Sequence, residues 1–171
     1  MIPTLSQIEA YSTDHLVEAA DHWDGLADRW EDAHWQVRYQ AHGLDWQGAA
    51  ADALRARTVS DYTVASGQAD QLRGTSRIAR QQAGELEHLR NSVLYAVEDA
   101  HNAGFVVGED FSVTDTRSSR TAAELAARQA QAQVFAADIR GRAGALVGAD
   151  TAVAADLSTA AAGIGNNSFQ I

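Results

Sequence analysis

Glu-x-x-His occurs at Glu31/His34, Glu85/His88 and Glu98/His101, in a chain that holds six histidines. On facing helices of a bundle such pairs supply the carboxylate and imidazole ligands of a two-metal centre. That chemistry requires ligands that project into the core at one level. Heptad positions put Glu98 and His101 opposite the apolar seam, and Glu85 and His88 at its flank and beyond. His88 and His101 are about 20 Å apart along one helix, and no histidine follows His101. Solvated i,i+3 ion pairs are the expected role of all three motifs, and no metal or other cofactor is expected. His15 and His22, near Asp14, Glu18, Asp21 and Asp24, are read either as ligands along one helix face or, preferably, as a charged solvated face. The chain has no Cys, no Gly-x-Ser-x-Gly elbow and no phosphate-binding loop ending in Gly-Lys, so a non-enzymatic protein is expected.

The elements that would carry these residues show clear periodicity. Leu16, Trp23, Trp30, Val37 and Leu44 step by seven, with Leu5, Ala19, Leu26 and Ala33 between them, which predicts an amphipathic helix over about 4–42. Pro3 suits a helix start, and Thr4 and Gln7 form a capping box. Gly43 reads as the stop of this helix and Asp45 as the N-cap of the next. Ala51, Thr58, Ala65, Leu72, Ala79, Leu86, Val93 and Ala100 continue the seven-residue step and predict a second helix to about 102. Gly67, Gly74 and Gly84 each weaken it, with any break expected near Gly84.

Between Gly104 and Asp115 the period changes. Phe105 to Val107 and Phe111 to Val113 favour β structure around a Gly-Glu-Asp turn, so the segment is either a short β-hairpin or an extended loop, held by Phe105 and Phe111. Thr121 and Glu124 then form a second capping box. Leu125, Ala132, Ile139, Leu146, Val153 and Ala160 resume the seven-residue step. The expected fold is a single all-α domain, an elongated antiparallel bundle of three long helices. Its parts are a helical hairpin over 1–103, the insertion over 104–116, the third helix over 117–164 and a flexible tail over 165–171.

The 171 residues carry a formal charge of −10. That balance argues against nucleic acid, whose binding relies on neutralised phosphates. No apolar run approaches the length of a membrane span, so membrane insertion is not expected. The opening MIPTLSQIEA has neither a basic segment nor an apolar core of a cleaved signal peptide. Trp35 and Tyr39, one helical turn apart, lie off the Trp23/Trp30 seam; they either pack under the third helix or stand exposed as an anchor for another chain.

One turn carries more than local physics requires. In HGLDWQGAAADALRART, Gly43, Leu44 and Asp45 are enough to reverse the chain, yet Trp46-Gln47-Gly48 follows. Trp46 is expected either to cap the seam around Leu44 and Leu54 or to serve recognition, with Gly48 leaving room for the indole or a partner.

A Trp-x-Gly turn between two long Ala-rich helices, in an acidic chain with no Cys and no Lys, resembles the WXG family of type VII (ESX) secretion substrates. The likeness covers about residues 1–102, and the remainder resembles the larger actinobacterial, including mycobacterial, relatives in which such a region precedes an effector. The absence of Lys and the abundance of Ala agree with a GC-rich actinobacterial coding sequence. Tyr95-Ala96-Val97-Glu98-Asp99 is similar to the family's Tyr-x-x-x-Asp/Glu export signal. The resemblance implies a helical, non-enzymatic secretion-associated protein, an exported substrate or the N-terminal targeting part of one. Trp46, Gly48, Tyr95 and Asp99 would be its recognition residues. It implies partners such as a second copy in an antiparallel dimer, a small WXG protein or the secretion ATPase. It also implies a cytoplasmic protein that reaches the cell envelope or medium without a cleaved signal peptide. The alternative is a cytosolic helical adaptor or immunity-type binding partner that is never exported.

Overall fold

The computed structural model describes residues 2–118, 121–162 and 164. Its elements are α1 (Leu5–Glu9), α2 (Asp14–Gly43), α3 (Ala49–Asn102), strands β1 (Phe105–Val107) and β2 (Val113–Asp115), and α4 (Ala122–Ala162). This is the expected all-α architecture, three long helices with a short β insertion. The tail expected over 165–171 lies outside the described residues. The chain forms two compact units, one of Met1–Thr13 and Ala83–Ala152 and the other of Asp14–Gln82 and Val153–Ile171. They are called the insertion unit and the turn unit below. Helices α3 and α4 contribute to both, and α3 runs unbroken through Gly67, Gly74 and Gly84, so no break occurs at Gly84.

In the insertion unit the core is built from large side chains. Ile8 of α1, Leu86 and Val93 of α3, Phe105 and Phe111 of the insertion, and Ile139 and Leu146 of α4 are all buried. α3 and α4 run antiparallel here. Arg142 of α4 donates to the Ser92 carbonyl at 3.1 Å, and Arg128, earlier in α4, donates to the carbonyl of Ala103, later in the chain than α3. The expected capping box at Thr121/Glu124 forms at the α4 start.

The continuous first helix expected over 4–42 is interrupted between Glu9 and Asp14. The reason lies in Arg90, whose guanidinium donates to the carbonyls of Ile8, at 3.0 Å, and of Glu9. Those are the acceptors a continuing helix would have used four residues on. At the other end, the Thr4/Gln7 capping box forms as expected. Glu109 adds to it, accepting from the Ser6 N–H at 3.0 Å and from the Ser6 hydroxyl.

The insertion is an antiparallel hairpin with Val106 opposite Thr114. Gly104, at φ +86°, ends the run of α3 in a left-handed conformation, and a β-carbon there would lie 2.5 Å from Arg117 Nε. The second strand begins at Val113, two residues later than the sequence suggested. Phe111 is the cause: it adopts φ +60°, its N–H meets the Gly108 carbonyl at 2.9 Å, and it closes the turn instead of pairing. Its ring is buried, as is that of Phe105, so both aromatics anchor the hairpin as expected.

The turn unit has a different interior. Its buried apolar positions are mostly alanines, Ala20, Ala27, Ala41, Ala51, Ala65, Ala69 and Ala79, with Leu16, Leu72 and Val153. A small cluster of Ala27, Ala69 and Leu72 is flanked by Trp23, Leu26 and Ile164. Along α3 every member of the predicted series from Ala51 to Ala100 is buried across the two units. The series assigned to α2 is not: Val37 and Leu44 are exposed, and Trp23 and Trp30 are half-buried. The helix turns its Ala20, Ala27, His34 and Ala41 stripe inward instead, since small side chains let α2 and α3 approach closely while the indoles fold over the flank. The register between them is set by charge. Arg80 reaches Asp21 and Asp24, each at 2.7 Å, and Arg73 reaches Asp28 and Glu31, each at 2.8 Å. As α3 numbers fall, α2 numbers rise, so the pair is antiparallel.

Candidate functional site

The turn after α2 is held by backbone conformation and one arginine. Gly48 sits at φ +105°, a left-handed value that a side chain rarely adopts, and its carbonyl accepts the Asp52 N–H at 3.1 Å to start α3. Helix α3 therefore begins at Ala49, and Asp45 is not its N-cap. Arg55 reaches back along α3 and donates from Nη2 to the carbonyls of Leu44, at 3.2 Å, and Trp46, at 2.7 Å. This clamp fixes the path of the Leu44–Gly48 backbone without using any of its side chains.

Two expectations about this turn are corrected. Trp46 does not begin a helix or shield a seam: it is 47 % exposed, and Leu44 and Leu54 are exposed too. A close approach does not explain Gly48 either, because a β-carbon there would meet nothing within 4 Å. The glycine is required by its φ. The alternatives for Trp35 and Tyr39 resolve toward exposure, at 50 % and 67 %. Their rings stack on each other with centroids 5.2 Å apart and planes 13° apart. Beside them, Arg38 lies over the Tyr62 ring at 5.3 Å.

Trp35, Tyr39, Trp46 and Gly48 belong to the turn unit, whereas Tyr95 and Asp99 belong to the insertion unit. Tyr95 is 63 % exposed on α3, and Asp99, one turn further, is exposed as well. The two present a phenol and a carboxylate on one helix face.

Glu31 and His34 do not form an ion pair with each other. Glu31 accepts from Arg73 and from the Ser66 hydroxyl at 2.8 Å across to α3, and the hydrogen bonds from Arg73 hold its carboxyl below the usual range. His34 instead bonds through Nδ1 to the Trp30 carbonyl at 2.8 Å. Among the described residues no group of three or more His, Cys, Asp or Glu is arranged to hold a metal ion. No helix among them is long and apolar enough to cross a membrane.

Sequence reasoning did not find the Arg128 site in the insertion unit. Arg128 makes a two-pronged pair with Asp115, at 2.9 Å from Nε and 2.5 Å from Nη2, donates to the Ala103 and Gly104 carbonyls, and lies 3.8 Å over the Phe105 ring. The hydrogen bond from Arg128 pulls the Asp115 carboxyl down to about 2. The available signal was an acidic residue closing a β-favouring segment a short distance before an arginine in the next helix. Tyr11 makes a comparable link, donating to Asp150 at 2.7 Å, and burial followed by that bond raises its phenol above the ordinary value.

No family model and no solved structure matches the chain. Similar curated proteins come from Mycobacterium bovis (strain ATCC BAA-935 / AF2122/97) and from Mycobacterium tuberculosis strains CDC 1551 / Oshkosh and ATCC 25618 / H37Rv, all of them uncharacterized. Each is 52 % identical over 169 residues, which covers 99 % of this chain and 52 % of the relative. The chain thus spans about half the length of the curated mycobacterial relatives it matches.

Proposed function

We propose that this is a non-enzymatic WXG-like protein of a type VII (ESX) secretion system, an exported substrate or the N-terminal targeting part of one, which acts through protein recognition. The observation that carries the reading is Trp46: its turn is held by Gly48 and Arg55, so the half-exposed indole has no role in closing it. Large aromatic side chains free of internal duty are typical anchors for a partner. The exposed Tyr95/Asp99 pair supports the same reading, as does similarity to mycobacterial proteins about twice as long. Partners of the stated kind are a second copy, a small WXG protein or the secretion ATPase.

The test is export from a type VII-competent mycobacterium. Wild-type protein is expected in the culture filtrate, and a variant carrying Trp46→Ala, Gly48→Ala and Tyr95→Ala is expected to stay in the cell. Gly48→Ala forces alanine into a left-handed conformation at about 1–2 kcal/mol, so the variant's fold is checked first by circular dichroism. Unchanged export of a folded triple variant sinks the targeting role. The exposed Trp35/Tyr39 stack suits a second reading equally, a cytosolic adaptor that is not exported; protein recovered only from lysate, bound to another chain through that stack, selects it.

A further inference from the structure

The β-hairpin of the insertion unit has an edge that its own chain does not use. The Gly108 N–H meets the Ser112 carbonyl at 2.8 Å, and the Thr116 N–H meets the Gly104 carbonyl at 3.2 Å. With Val106 opposite Thr114, the even-numbered residues are the hydrogen-bonded pairs of the ladder. The N–H and C=O groups of Val113 and Asp115 therefore point away from β1, and among the described residues none of these four groups has a partner.

That edge borders a groove of about 480 Å³ whose opposite side is one face of α4. Ala132 and Ala136 form a floor of small side chains, Gln129 and Gln133 supply amides along it, and Leu125, nearly half exposed, stands at one end. At the other end is Arg140. Its guanidinium has one long hydrogen bond, 3.5 Å to the Asp110 carbonyl, and the Asp110 carboxyl, held below its usual range first by hydrogen bonds from Ser112 and also by the nearby Arg140 charge, lies beside it.

We propose that this groove takes an extended peptide segment of a partner protein, added as a third strand on β2, with an acidic residue at the Arg140 end. The edge supplies backbone hydrogen bonds, the alanine floor admits alternate side chains of the incoming strand, and Arg140 sets its charge and polarity. The surface lies wholly in the insertion unit and is separate from Trp46, Trp35 and Tyr39, so it stands or falls independently of the export reading.

The phase of the hydrogen bonds gives a sharp test. The probe is a fluorescein-labelled, N-acetylated hexapeptide Glu-Val-Thr-Val-Thr-Val, followed by fluorescence anisotropy with the full chain. N-methylation of alternate residues is made in two versions, one in each phase. Saturable binding is expected, with one version at least about tenfold weaker and the other close to the unmodified peptide, because only one phase faces β2. Ala132→Trp, which fills the floor, is expected to abolish binding while circular dichroism stays native. Arg140→Glu is expected to weaken binding about tenfold, and replacing the peptide's Glu by Gln to remove most of that difference. No saturable binding up to about 1 mM overturns the proposal. Equal loss from both methylated versions, or binding indifferent to Ala132→Trp in a folded variant, also overturns it.

Discussion

The buried phenylalanines of the insertion unit and three rings of the turn unit, Trp35, Tyr39 and Trp46, have opposite fates. Phe105 is 2 % exposed, stacks under Arg128 and meets Phe135 at 5.4 Å. Trp46, Trp35 and Tyr39 are half-exposed or more and stack only on each other, if at all. The cause is the core available to each. Around the hairpin, Leu, Ile and Val leave room for large rings to interdigitate. Between α2 and α3 the alanine stripe leaves little room for rings, so Trp23 packs at the edge of the Ala27, Ala69 and Leu72 cluster, and polar Thr58, Gln68, Thr75 and Ser76 are among the buried residues of the unit. The phenylalanines of the hairpin are spent on a core, while Trp35, Tyr39 and Trp46 stay at the surface, as Tyr95 does in the insertion unit.

Phe105→Ala should break this comparison most severely. It removes a fully buried ring and the surface on which Arg128 rests, and a loss of about 3–5 kcal/mol is expected from the cavity and lost contacts. Trp46→Ala, by contrast, should cost no more than about 1 kcal/mol. Urea titrations of the two variants measure the difference directly, and equal losses would show that Trp46 is a structural residue after all.

A smaller effect should come from acid. The Arg128 hydrogen bond depresses the Asp115 carboxyl to about 2 in the folded protein, against about 3.9 in an unfolded chain. A depressed carboxylate contributes stability that is fully present above its unfolded value and fades as pH falls through the folded one. The insertion should therefore loosen between about pH 4 and pH 2, and Asp115→Asn should be less stable at neutral pH but flatter across that window. Far-ultraviolet circular dichroism of thermal melts at stepped pH checks both parts. An acid limb identical in the variant would assign the transition to other carboxylates, such as Glu31.

These contrasts show which parts of the molecule a one-dimensional pattern can reveal. The α3 series from Ala51 to Ala100 was legible because one face is covered along its whole length, so the hydrophobic repeat and burial coincide. The α2 series was misread for a physical reason: by hydrophobicity Trp23, Trp30, Val37 and Leu44 outrank Ala20, Ala27 and Ala41, but close helix approach selects by size. β1 was legible from β propensity, whereas the displaced start of β2 depended on the φ of Phe111, which composition does not encode. At the turn, the identity of the special residues could be read, but not their mechanism. Gly48 serves the backbone rather than a neighbour, and the Arg55 clamp joins residues with no shared period. Long arginines bond wherever their guanidinium reaches, so Arg55, Arg90 and Arg128 became visible only once the helices were placed.

The smallest structural effect, and the sharpest functional one, is expected from Trp35→Ala combined with Tyr39→Ala. An exposed i,i+4 aromatic pair contributes only about 0.2–0.5 kcal/mol to its helix, which for a chain of this size shifts the melting temperature by no more than about 2 °C. An aromatic anchor in an interface is worth far more, about 2 kcal/mol or above, or more than a thirtyfold change in affinity. If the pair helps join two copies, the double variant should melt like the wild type while its self-association in sedimentation equilibrium weakens by that factor. Reversed outcomes, a depressed melting temperature with unchanged association, would move Trp35 and Tyr39 to the same side of the comparison as Phe105. The two measurements separate because α2 already buries its alanine stripe, so nothing in the turn unit depends on where the rings on its other face are placed.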